Sequence, residues 1–377
     1  MPRRVPKIAA VDVFPVGLPY RQTLRLSSGV AGSPDALAPH VYVRVTTEDG
    51  HAGWGEARPS HRWSYETEAT VVDTLRRHLA PAVVGRAVSD IVALPAVFDA
   101  EIAGAPGGGQ PVARSALDMA VRDAWAHWLD APMWALEGLP MAPRVAFAGL
   151  VSAPEPEEAA AAVRAALSEG FPGVKVKLSG RLDLDLRKIE AVNDTAPQGA
   201  DVWFDANQAY TAADAHVIGA AVGRRPGAVL EQPVAAWDVA ALESLVSRRD
   251  VAIAVDEGGW DAREVAQLAR RGAMDLYVAK VCKAGGYGRA REAAATAAAH
   301  GIGLLVSGLT ESALGLAASA LLTAVIGCRR PADLNGPQFI ASNPGADQLD
   351  LTPSHVTLND RPGWGVTPPV AEGIALA

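Results

Sequence analysis

The sequence predicts an α/β protein in which a (β/α) barrel follows a smaller α+β region. Two observations lead to this fold class. From about Pro143 onward, short apolar runs alternate with Ala-rich amphipathic stretches, which is typical of strand–helix units in a parallel sheet. Charged residues recur once per unit, at the ends of those apolar runs, where barrel enzymes assemble their active sites.

The first third of the chain mixes strand and helix patterns, and we place the smaller region at residues 1–125. Strands are expected in VDVFPVGLPY and in HVYVRVTTEDGHAGWGEA, where Asp49–Gly50 between alternating apolar positions predicts a hairpin turn. The segment between them is polar and contains Gly, Ser and Pro, so we expect a mobile loop around Arg21–Gly32 that governs specificity. Helices are expected in ETEATVVDTLRRHLAPAVVG and ARSALDMAVRDAWAHWLDAP.

The predicted barrel covers residues 126–344. Its strands are expected in VAFAGLV, VKVKL, DVWFDA, AVLEQP, VAIAVDE, LYVAKV and GIGLLVSG, whose uncharged interiors fit a sheet covered on both faces. Intervals of 28, 26, 25 and 24 residues separate, in turn, Lys177, Asp205, Glu231, Asp256 and Lys280. A barrel of eight units allots about 25–30 residues to each. An open doubly wound sheet would show the same alternation, but it would not bring five successive strand ends around one point.

Composition argues against several partners. The net charge is −8 and no basic run is longer than a pair such as Arg3–Arg4, which disfavours nucleic acid or an anionic membrane. The two cysteines, Cys282 and Cys328, imply no disulfide framework, so a cytoplasmic location is expected. The longest apolar run, Gly315–Gly327, is too short to span a bilayer and is expected to form a buried helix.

Three acids end successive apolar runs: Asp205 in VWFDAN, Glu231 in AVLEQP and Asp256 in AIAVDE. Three carboxylates on neighbouring strand ends would repel one another unless a cation lay between them. Ligands that are all oxygen favour Mg²⁺, with Mn²⁺ as the alternative, over zinc. Each acid could instead cap a strand or a helix, but the matched spacing of three favours a metal site. Glu257, next to Asp256, should point away and lie behind the ligands.

The lysines suggest the chemistry. Lys175 and Lys177 in GVKVKLSG alternate with valines, so both should point into the barrel from one strand. Two ammonium groups there, with a metal nearby, would lower each other's pKa and give a usable base. An edge strand with solvated lysines is the alternative, but Lys280 at the end of another strand, in phase with the acids, favours catalysis. Lys283 lies among glycines and is expected to be structural or peripheral.

The ordered motifs of the barrel region resemble those of the enolase superfamily, within the muconate lactonizing enzyme subgroup. In chain order these motifs are KVK, FDAN, EQP, VDE and AKVCKAGG. The resemblance extends over nearly the whole chain through four further segments, GWGEA, SALDMAVRDAWA, SGLTESALG and PGWGVTPP. The resemblance implies a modified TIM barrel and a capping domain that the C-terminal tail, about residues 345–377, completes. The related mandelate racemase subgroup uses a His–Asp pair late in the barrel, whereas GIGLLVSG contains no histidine.

The same resemblance implies roles for these residues. In the family, the three acids bind Mg²⁺, which holds the substrate carboxylate and stabilises the enediolate formed when the α-proton leaves. Lys177 and Lys280 would flank the α-carbon as acid and base, and Lys175 would tune Lys177. Further candidates for contacts with the substrate or for the surrounding shell are Asn207, Glu257, Lys283, Ser307, Glu311, Asp333 and Asn335.

One intermediate supports several reactions in this family. Its dipeptide epimerases carry an Asp-x-Asp pair for the substrate ammonium, whereas this chain has Asp333 and Asn335, which disfavours dipeptides. Two lysines on opposite faces of the site suit a two-base racemase or epimerase. Its substrate would be a small carboxylate, an N-substituted or cyclic amino acid. The alternatives are a muconate-type cycloisomerase, an acid-sugar or hydroxy-acid dehydratase, and a non-catalytic carboxylate-binding protein that retains the metal. The resemblance also implies a homo-oligomer.

Overall fold

A three-stranded antiparallel sheet organises the first part of the chain. The structure is a computed structural model that describes residues 4–104 and 108–369. The sheet has the order β1 (Ile8–Pro19), β4 (Leu37–Thr47) and β5 (Ala52–Ala57). The hairpin predicted at Asp49–Gly50 joins β4 to β5, and Gly50 has a φ of 89°, which glycine adopts without steric cost.

The segment predicted to be a mobile loop contains a second hairpin. β2 (Leu24–Leu26) pairs antiparallel with β3 (Gly29–Gly32). Leu24 is buried, and a Cβ at Gly32 would lie only 2.1 Å from Tyr20 Cζ. The prediction of a loop is therefore wrong for these strand residues, and the mobility of the segment stays a prediction. The Gly, Ser and Pro content concealed two short strands that pack against an aromatic ring.

Helices pack on one face of the antiparallel sheet. The longest, α4 (Pro111–Leu129), approaches β5 so closely that only glycine fits at two strand positions. A Cβ at Gly53 would lie 2.0 Å from the Ala124 nitrogen, and one at Gly55 would lie 1.9 Å from the Ala116 oxygen. The remaining helical segments here are α1 (Glu68–Thr74), a π-helical turn (Leu75–Leu79), α2 (Ala80–Val83), a 3₁₀ turn (Asp90–Val92), α3 (Leu94–Glu101) and α5 (Met133–Leu136).

Seven parallel strands and one short segment close a barrel. The strands are neighbours in sequence order: β7 (Gly149–Val151), β8 (Gly173–Lys177), β9 (Asp201–Asp205), β10 (Val229–Glu231), β11 (Ala252–Val255), β12 (Leu276–Ala279) and β13 (Gly303–Val306). Asp333 forms a parallel bridge to Ser307, just after β13, and Ala332 forms one to Phe147, just before β7. This segment therefore takes the eighth position, and the predicted barrel is confirmed.

Helices follow the barrel strands, as the alternation in the sequence predicted. They are α6 (Pro156–Ser168), α7 (Leu182–Thr195), α8 (Ala212–Val222), α9 (Val239–Arg248), α10 (Ala262–Arg271), α11 (Val281–Ala284), α12 (Tyr287–Ala299), α13 (Ala313–Val325) and α14 (Gly336–Phe339). The apolar run expected to form a buried helix coincides with α13, of which Ala313–Thr323 are buried. Among the helices of the described residues, none has the length and apolarity needed to cross a bilayer.

The C-terminal tail returns to the first part of the chain. After a 3₁₀ turn (Ala346–Gln348), β14 (Asp350–Leu351) and β15 (His355–Thr357) form a small antiparallel sheet with β6 (Arg144–Ala146). Beyond it, the backbone N–H groups of Trp364 and Trp54 donate to the two carboxylate oxygens of Asp123, at 2.7 and 2.8 Å. One buried carboxylate on α4 therefore holds both β5 and the tail.

Asp123 is expected to make this junction sensitive to pH. Burial raises the pKa of Asp123 to about 7, although the two N–H donors act in the opposite direction. In the unfolded chain the pKa lies near 3.9. The folded state thus holds a proton that the unfolded state releases, and the stability contributed by this group falls as pH rises from about 4 to about 7. Asp123→Asn should be less stable than wild type by about 1–3 kcal/mol at pH 5, because the asparagine side chain has one hydrogen-bond acceptor fewer for the two backbone N–H groups. This difference in stability should narrow by pH 8, because the wild type loses stability as pH rises.

Urea unfolding of both proteins at pH 5 and pH 8 measures this difference. Other buried acids titrate in both proteins, so their effects cancel in the comparison. His127, whose Nε2 lies 3.7 Å from Asp123 Oδ2, is also common to both. A stability gap that stays the same between the two pH values would show that Asp123 does not titrate in this window.

Candidate active site

The three strand-end acids lie side by side at one edge of the barrel. Asp205 and Glu231 are the last residues of β9 and β10, and Asp256 directly follows β11. In the ring these strands are consecutive, and all three side chains are fully buried. The carboxyl ends of neighbouring parallel strands meet at one edge of a sheet, so the even spacing in the sequence becomes one cluster of negative charge.

Lys175 lies at the centre of this cluster. Its Nζ is 3.0 Å from Asp205 Oδ2, from Glu231 Oε2 and from Asp333 Oδ2. The Trp203 ring lies beneath the ammonium group, with Nζ 4.5 Å from the ring centroid. A lysine with three carboxylate neighbours is positioned to balance charge rather than to exchange protons.

Lys177 and Lys280 reach the cluster from its two ends. Lys177 Nζ donates to Asp205 Oδ2 at 2.6 Å and to Asn207 Oδ1 at 3.0 Å. Lys280 Nζ donates to Asp256 Oδ2 at 2.5 Å and lies 4.2 Å from the ring centroid of Trp63, a residue of the N-terminal region. Both lysines line one cleft.

Direct ion pairs with carboxylates oppose the lowering of the lysine pKa values at Lys175 and Lys280. Burial lowers the pKa of Lys280, and Lys175 lowers it further, as two neighbouring ammonium groups should. Asp256 and the other carboxylates nevertheless outweigh both effects and hold that pKa above its usual value. The pKa of Lys175 is likewise raised, because Asp205, Asp333 and Glu231 outweigh burial. The sequence argument counted the lysines and the metal but not these direct ion pairs.

The acids have the chemistry of a site for a hard dication. They offer only oxygen donors, which suit Mg²⁺. Burial and the adjacent Asp205 raise the pKa of Glu231 to about 8, although Lys175 and Lys280 act in the opposite direction. The nearby lysines therefore do not fully compensate the negative charge of Glu231. As they stand, no three His, Cys, Asp or Glu side chains within residues 4–104 and 108–369 are grouped closely enough to hold an ion. Lysine ammonium groups contact the carboxylates instead, so convergence of the acids on one ion stays a prediction.

Unusual backbone conformations flank the cluster. Asn207, Gln232 and Thr310 have φ values of 43°, 36° and 68°, in the left-handed region that non-glycine residues rarely adopt. Gln232 Oε1 accepts hydrogen bonds from the backbone N–H groups of Asp256, at 3.1 Å, and Gly258, at 3.0 Å. Such strain is often found at functional sites, and here it orients the loop that carries Asp256.

Two residues assigned to the surrounding shell support the cluster, one directly and one through Asn207. Lys283 is fully buried, and its Nζ donates to the backbone oxygen of Val278, at 2.6 Å, and to Asp256 Oδ1, at 3.0 Å. Glu257 Oε1 accepts from Asn207 Nδ2 at 3.1 Å, and burial together with Asp256 raises the pKa of Glu257 to about 7. Lys283 thus supports Asp256 from behind, and Glu257 supports the residue that contacts Lys177.

The last four candidates divide into two groups. Ser307, Asp333 and Asn335 line the cleft. Asp333 Oδ2 accepts from Ser307 Oγ and its Oδ1 from Asn335 Nδ2, both at 2.9 Å. Glu311 instead packs against the backbone of Gly308, where a Cβ would lie 2.1 Å from its Oε2, and burial raises its pKa.

Sequence reasoning assigned specificity to the Arg21–Gly32 segment, but it missed the other cleft residues of the N-terminal region. The cleft is partly open to solvent. Its N-terminal lining residues include Leu24, Leu26 and Ala31 of the β2–β3 hairpin, together with Arg58 and Trp63. Arg58 directly follows the GWGEA motif, but no local pattern indicates that this position faces the barrel.

A buried carboxylate explains how this region is positioned. Glu56, the motif glutamate on β5, accepts from the backbone N–H groups of Ser312 and Gly315, at 2.7 and 2.8 Å. Those groups belong to the N-terminus of α13, where a negative charge is favourable. His40 Nδ1 lies 2.7 Å from Glu56 Oε1. Burial opposes ionisation, but His40 and Ser312 outweigh it and lower the pKa of Glu56.

This fold and site define the family. The chain belongs to the mandelate racemase/muconate lactonizing enzyme family of the enolase superfamily. Residues 19–138 match the family model for the mandelate racemase/muconate lactonizing enzyme N-terminal domain, and residues 158–372 match the model described as enolase C-terminal domain-like. The resemblance predicted from the ordered motifs is therefore confirmed.

The chain is similar over almost its full length to several isomerases. It is 30% identical over 366 residues to an aromatic dipeptide epimerase from Herpetosiphon aurantiacus, covering 95% of this chain and 98% of the relative. It is 27% identical to a chloromuconate cycloisomerase from Pseudomonas putida, covering 96% of each. The crystal structure of N-succinyl Arg/Lys racemase from Bacillus cereus superposes with a TM-score of 0.88 at 26% identity, covering 96% of this chain and 95% of that one. The protein is thus an isomerase of the enolase superfamily.

Proposed function

We propose that this protein is a Mg²⁺-dependent racemase or epimerase that removes the proton α to the carboxylate of an N-substituted amino acid. One observation carries the proposal. Lys177 on β8 and Lys280 after β12 are four positions apart in a ring of eight, and therefore face each other across the barrel. The three acids occupy the three strands between them. A substrate carboxylate bound at the acids would place its α-carbon between the two lysines.

Each lysine would act on one face of that carbon. A base on one side and an acid on the other allow a proton to leave one face and another to be delivered to the opposite face, which inverts the centre. Asp205, Glu231 and Asp256 would hold Mg²⁺, which supplies positive charge for the substrate carboxylate and relieves the lysines of their carboxylate partners. Asn207 orients Lys177, and Lys175 balances the charge of the acids.

The substitution on nitrogen is supported by the Asp333–Asn335 pair. Asp333 Oδ2 is in contact with Lys175. Asn335 places a neutral amide beside Asp333, at the position where a second carboxylate would attract the ammonium group of a substrate. Thr310 Oγ1 donates to Asn335 Oδ1 at 2.8 Å, which fixes the amide within this network. A neutral, acylated nitrogen suits this end of the cleft better than a free ammonium. The similarity to N-succinyl Arg/Lys racemase from Bacillus cereus supports the same class of substrate.

Cycloisomerisation of a muconate is the second candidate, supported by the similarity to the chloromuconate cycloisomerase. That reaction needs one proton-transferring lysine rather than two. The two roughly symmetric lysines favour racemisation. They also argue against a protein that only binds carboxylates, because binding alone would not need a lysine at each end of the acid cluster.

A proton-exchange screen tests the proposed function. Purified protein with Mg²⁺ is incubated in deuterium oxide with N-acyl amino acids, free dipeptides and muconate, and loss of the α-proton is followed by NMR. We expect exchange and racemisation of at least one N-acyl amino acid, stopped by a chelator and restored by Mg²⁺ or Mn²⁺. Consumption of muconate alone would favour the second candidate, and binding without exchange of any compound would contradict catalysis.

The proposal includes the setting of the site. Residues 1–125 and the tail from about residue 345 would form the cap of a barrel at 126–344. The contact of Trp364 with Asp123 supports joining the tail to the first region. Residues 370–377 of the tail lie outside the described part. The free Cys282 and Cys328 support action in the reducing cytoplasm. Family membership supports a homo-oligomer.

A further inference from the structure

The two lysines that face each other across the barrel are held in different ways. Each ammonium group contacts one carboxylate of the acid cluster and one further side chain. For Lys177 the further contact is Asn207 of the barrel, whose Oδ1 lies 3.0 Å from Nζ. For Lys280 it is the ring of Trp63, a residue of the N-terminal region, whose centroid lies 4.2 Å from Nζ. An ammonium group at such a distance is attracted to the face of an aromatic ring, most strongly to that of tryptophan.

Contacts on both sides of the domain boundary hold the Trp63 ring in place. Its centroid lies 5.3 Å from that of Trp260, which belongs to the loop after β11. Trp260 is itself anchored, because its Nε1 donates to the backbone oxygen of Glu257 and its backbone N–H donates to Glu264 Oε2, both at 2.7 Å. On the other side, the Trp63 backbone N–H donates to the Ser60 oxygen at 2.9 Å. The ring is therefore fixed between a turn of the N-terminal region and a loop of the barrel.

Trp63 would stay in contact with Lys280 when Asp256 holds a metal ion. Asp256 would then direct its charge to the ion and would no longer fix the ammonium group. Lysine has a flexible four-carbon stem, so a lysine without a fixed partner can adopt several rotamers. A proton-transferring group must lie within about 3.2 Å of the atom whose proton it moves. The Trp63 ring would keep Lys280 Nζ at the cleft that both residues line.

We propose that Trp63 is a positioning residue that directs Lys280 towards the α-carbon of the substrate. Proton transfer at the Lys280 face then depends on a ring supplied by the N-terminal region, whereas both contacts of Lys177 come from the barrel. The inference rests on the proposed function, because it takes Lys280 to transfer a proton. It adds that the N-terminal region takes part in the chemistry at one face of the carbon and not at the other.

NMR of the lysine side chains tests the positioning directly. The chain has only six lysines, so protein labelled with ¹³C at lysine Cε gives few signals, and Lys280→Ala identifies the signal of Lys280. With Mg²⁺ added, the Lys280 Hε signal of wild type should be shifted upfield by the ring current of Trp63. The shift should be lost in Trp63→Leu, remain in part in Trp63→Phe and remain in full in Trp237→Leu, which removes an exposed indole. A Lys280 signal that is the same in wild type and in Trp63→Leu would overturn the inference.

Proton exchange in two single-lysine backgrounds tests the consequence for catalysis. Lys177→Ala leaves Lys280 to act on one enantiomer, and Lys280→Ala leaves Lys177 to act on the other. The probes are racemic N-acetylalanine, N-acetylmethionine and N-acetylphenylalanine in deuterium oxide with Mg²⁺. Adding Trp63→Leu should slow exchange by about tenfold to thirtyfold in the Lys177→Ala background, and several times less in the Lys280→Ala background. Trp63→Phe, which keeps an aromatic face, should restore part of the lost rate.

The comparison of the two backgrounds separates positioning from a structural role. Weaker substrate binding or a loosened fold would slow exchange in both backgrounds alike, so losses of equal size would overturn the inference. Unchanged NMR signals of Lys175 and Lys283 in Trp63→Leu would show that the barrel is intact. Should Trp63→Leu fail to fold, Trp63→Phe carries the same two tests with smaller expected effects, because a phenyl ring attracts a cation less strongly than an indole.

The two measurements also separate this inference from the proposed function. A Lys280 signal that depends on Trp63, with no exchange of any probe by wild type, would support the positioning of Lys280 and contradict the proposed chemistry. Exchange by wild type, with equal losses in the two backgrounds, would support the chemistry and overturn the role of Trp63.

Discussion

Lys177→Ala is expected to slow racemisation strongly in both directions and still allow one enantiomer to exchange its α-proton. The variant keeps Lys280, which reaches the α-carbon from the opposite side of the ring, so the enantiomer whose hydrogen faces Lys280 should exchange without inverting. Lys280→Ala should show the opposite preference. The racemisation rate should fall by about 10²–10⁴-fold in each variant, the usual contribution of a positioned acid or base. NMR of each pure enantiomer in deuterium oxide measures both effects.

Lys7→Ala is the matched control, because Lys7 is exposed and does not line the cleft. It should racemise at the wild-type rate. If either active-site variant also does so, the two-base mechanism is contradicted. If both variants lose exchange of both enantiomers while metal binding survives, the lysines act as one unit, and the lactonizing or dehydrating reactions become the better account.

Glu231→Gln is expected to remove Mg²⁺ binding and to lower activity by about 10³-fold or more, since it takes away the central charge that would hold the ion. The fold should survive, because burial already disfavours the Glu231 charge and raises its pKa. Calorimetric titration with Mg²⁺ and the exchange assay measure the two losses.

Glu243→Gln, which alters only an exposed ion pair with Arg271, is the control and should keep both properties. Mg²⁺ affinity and exchange at wild-type levels in Glu231→Gln would remove this acid from the metal site. Activity that persists in a chelator would contradict the metal dependence as a whole.

The strand ends could be predicted because local patterns decide them. Apolar runs of the right length, each closed by one charged residue at a nearly constant interval, indicate both the strand and its register in the ring. The closure of the barrel was harder to predict from the sequence. The eighth position is filled by Ala332 and Asp333 alone, a two-residue contact within ADLNGPQFI that no strand pattern predicts. The β2–β3 hairpin was missed because its strands are short and rich in glycine.

The site was only partly predictable, because long-range contacts determine the rest of it. The acids and lysines come from the barrel itself, and their strand positions bring them together. Arg58 and Trp63 come from the N-terminal region, which Glu56 joins to the N-terminus of α13 through a contact that spans 256 residues of sequence. The pKa values depend on ion pairs such as that of Lys280 with Asp256, which alternation along one strand cannot reveal.

The position at which deuterium enters the product tests the central claim, that two lysines act on opposite faces of one α-carbon. A pure enantiomer of an active N-acyl amino acid is incubated with wild-type enzyme and Mg²⁺ in deuterium oxide, and the first product formed is analysed by NMR. We predict that this product carries deuterium at the α-carbon from its first appearance, because the lysine that delivers it has exchanged with solvent. A product that keeps the substrate's own proton would show that one base carries it between the faces, and would contradict the account.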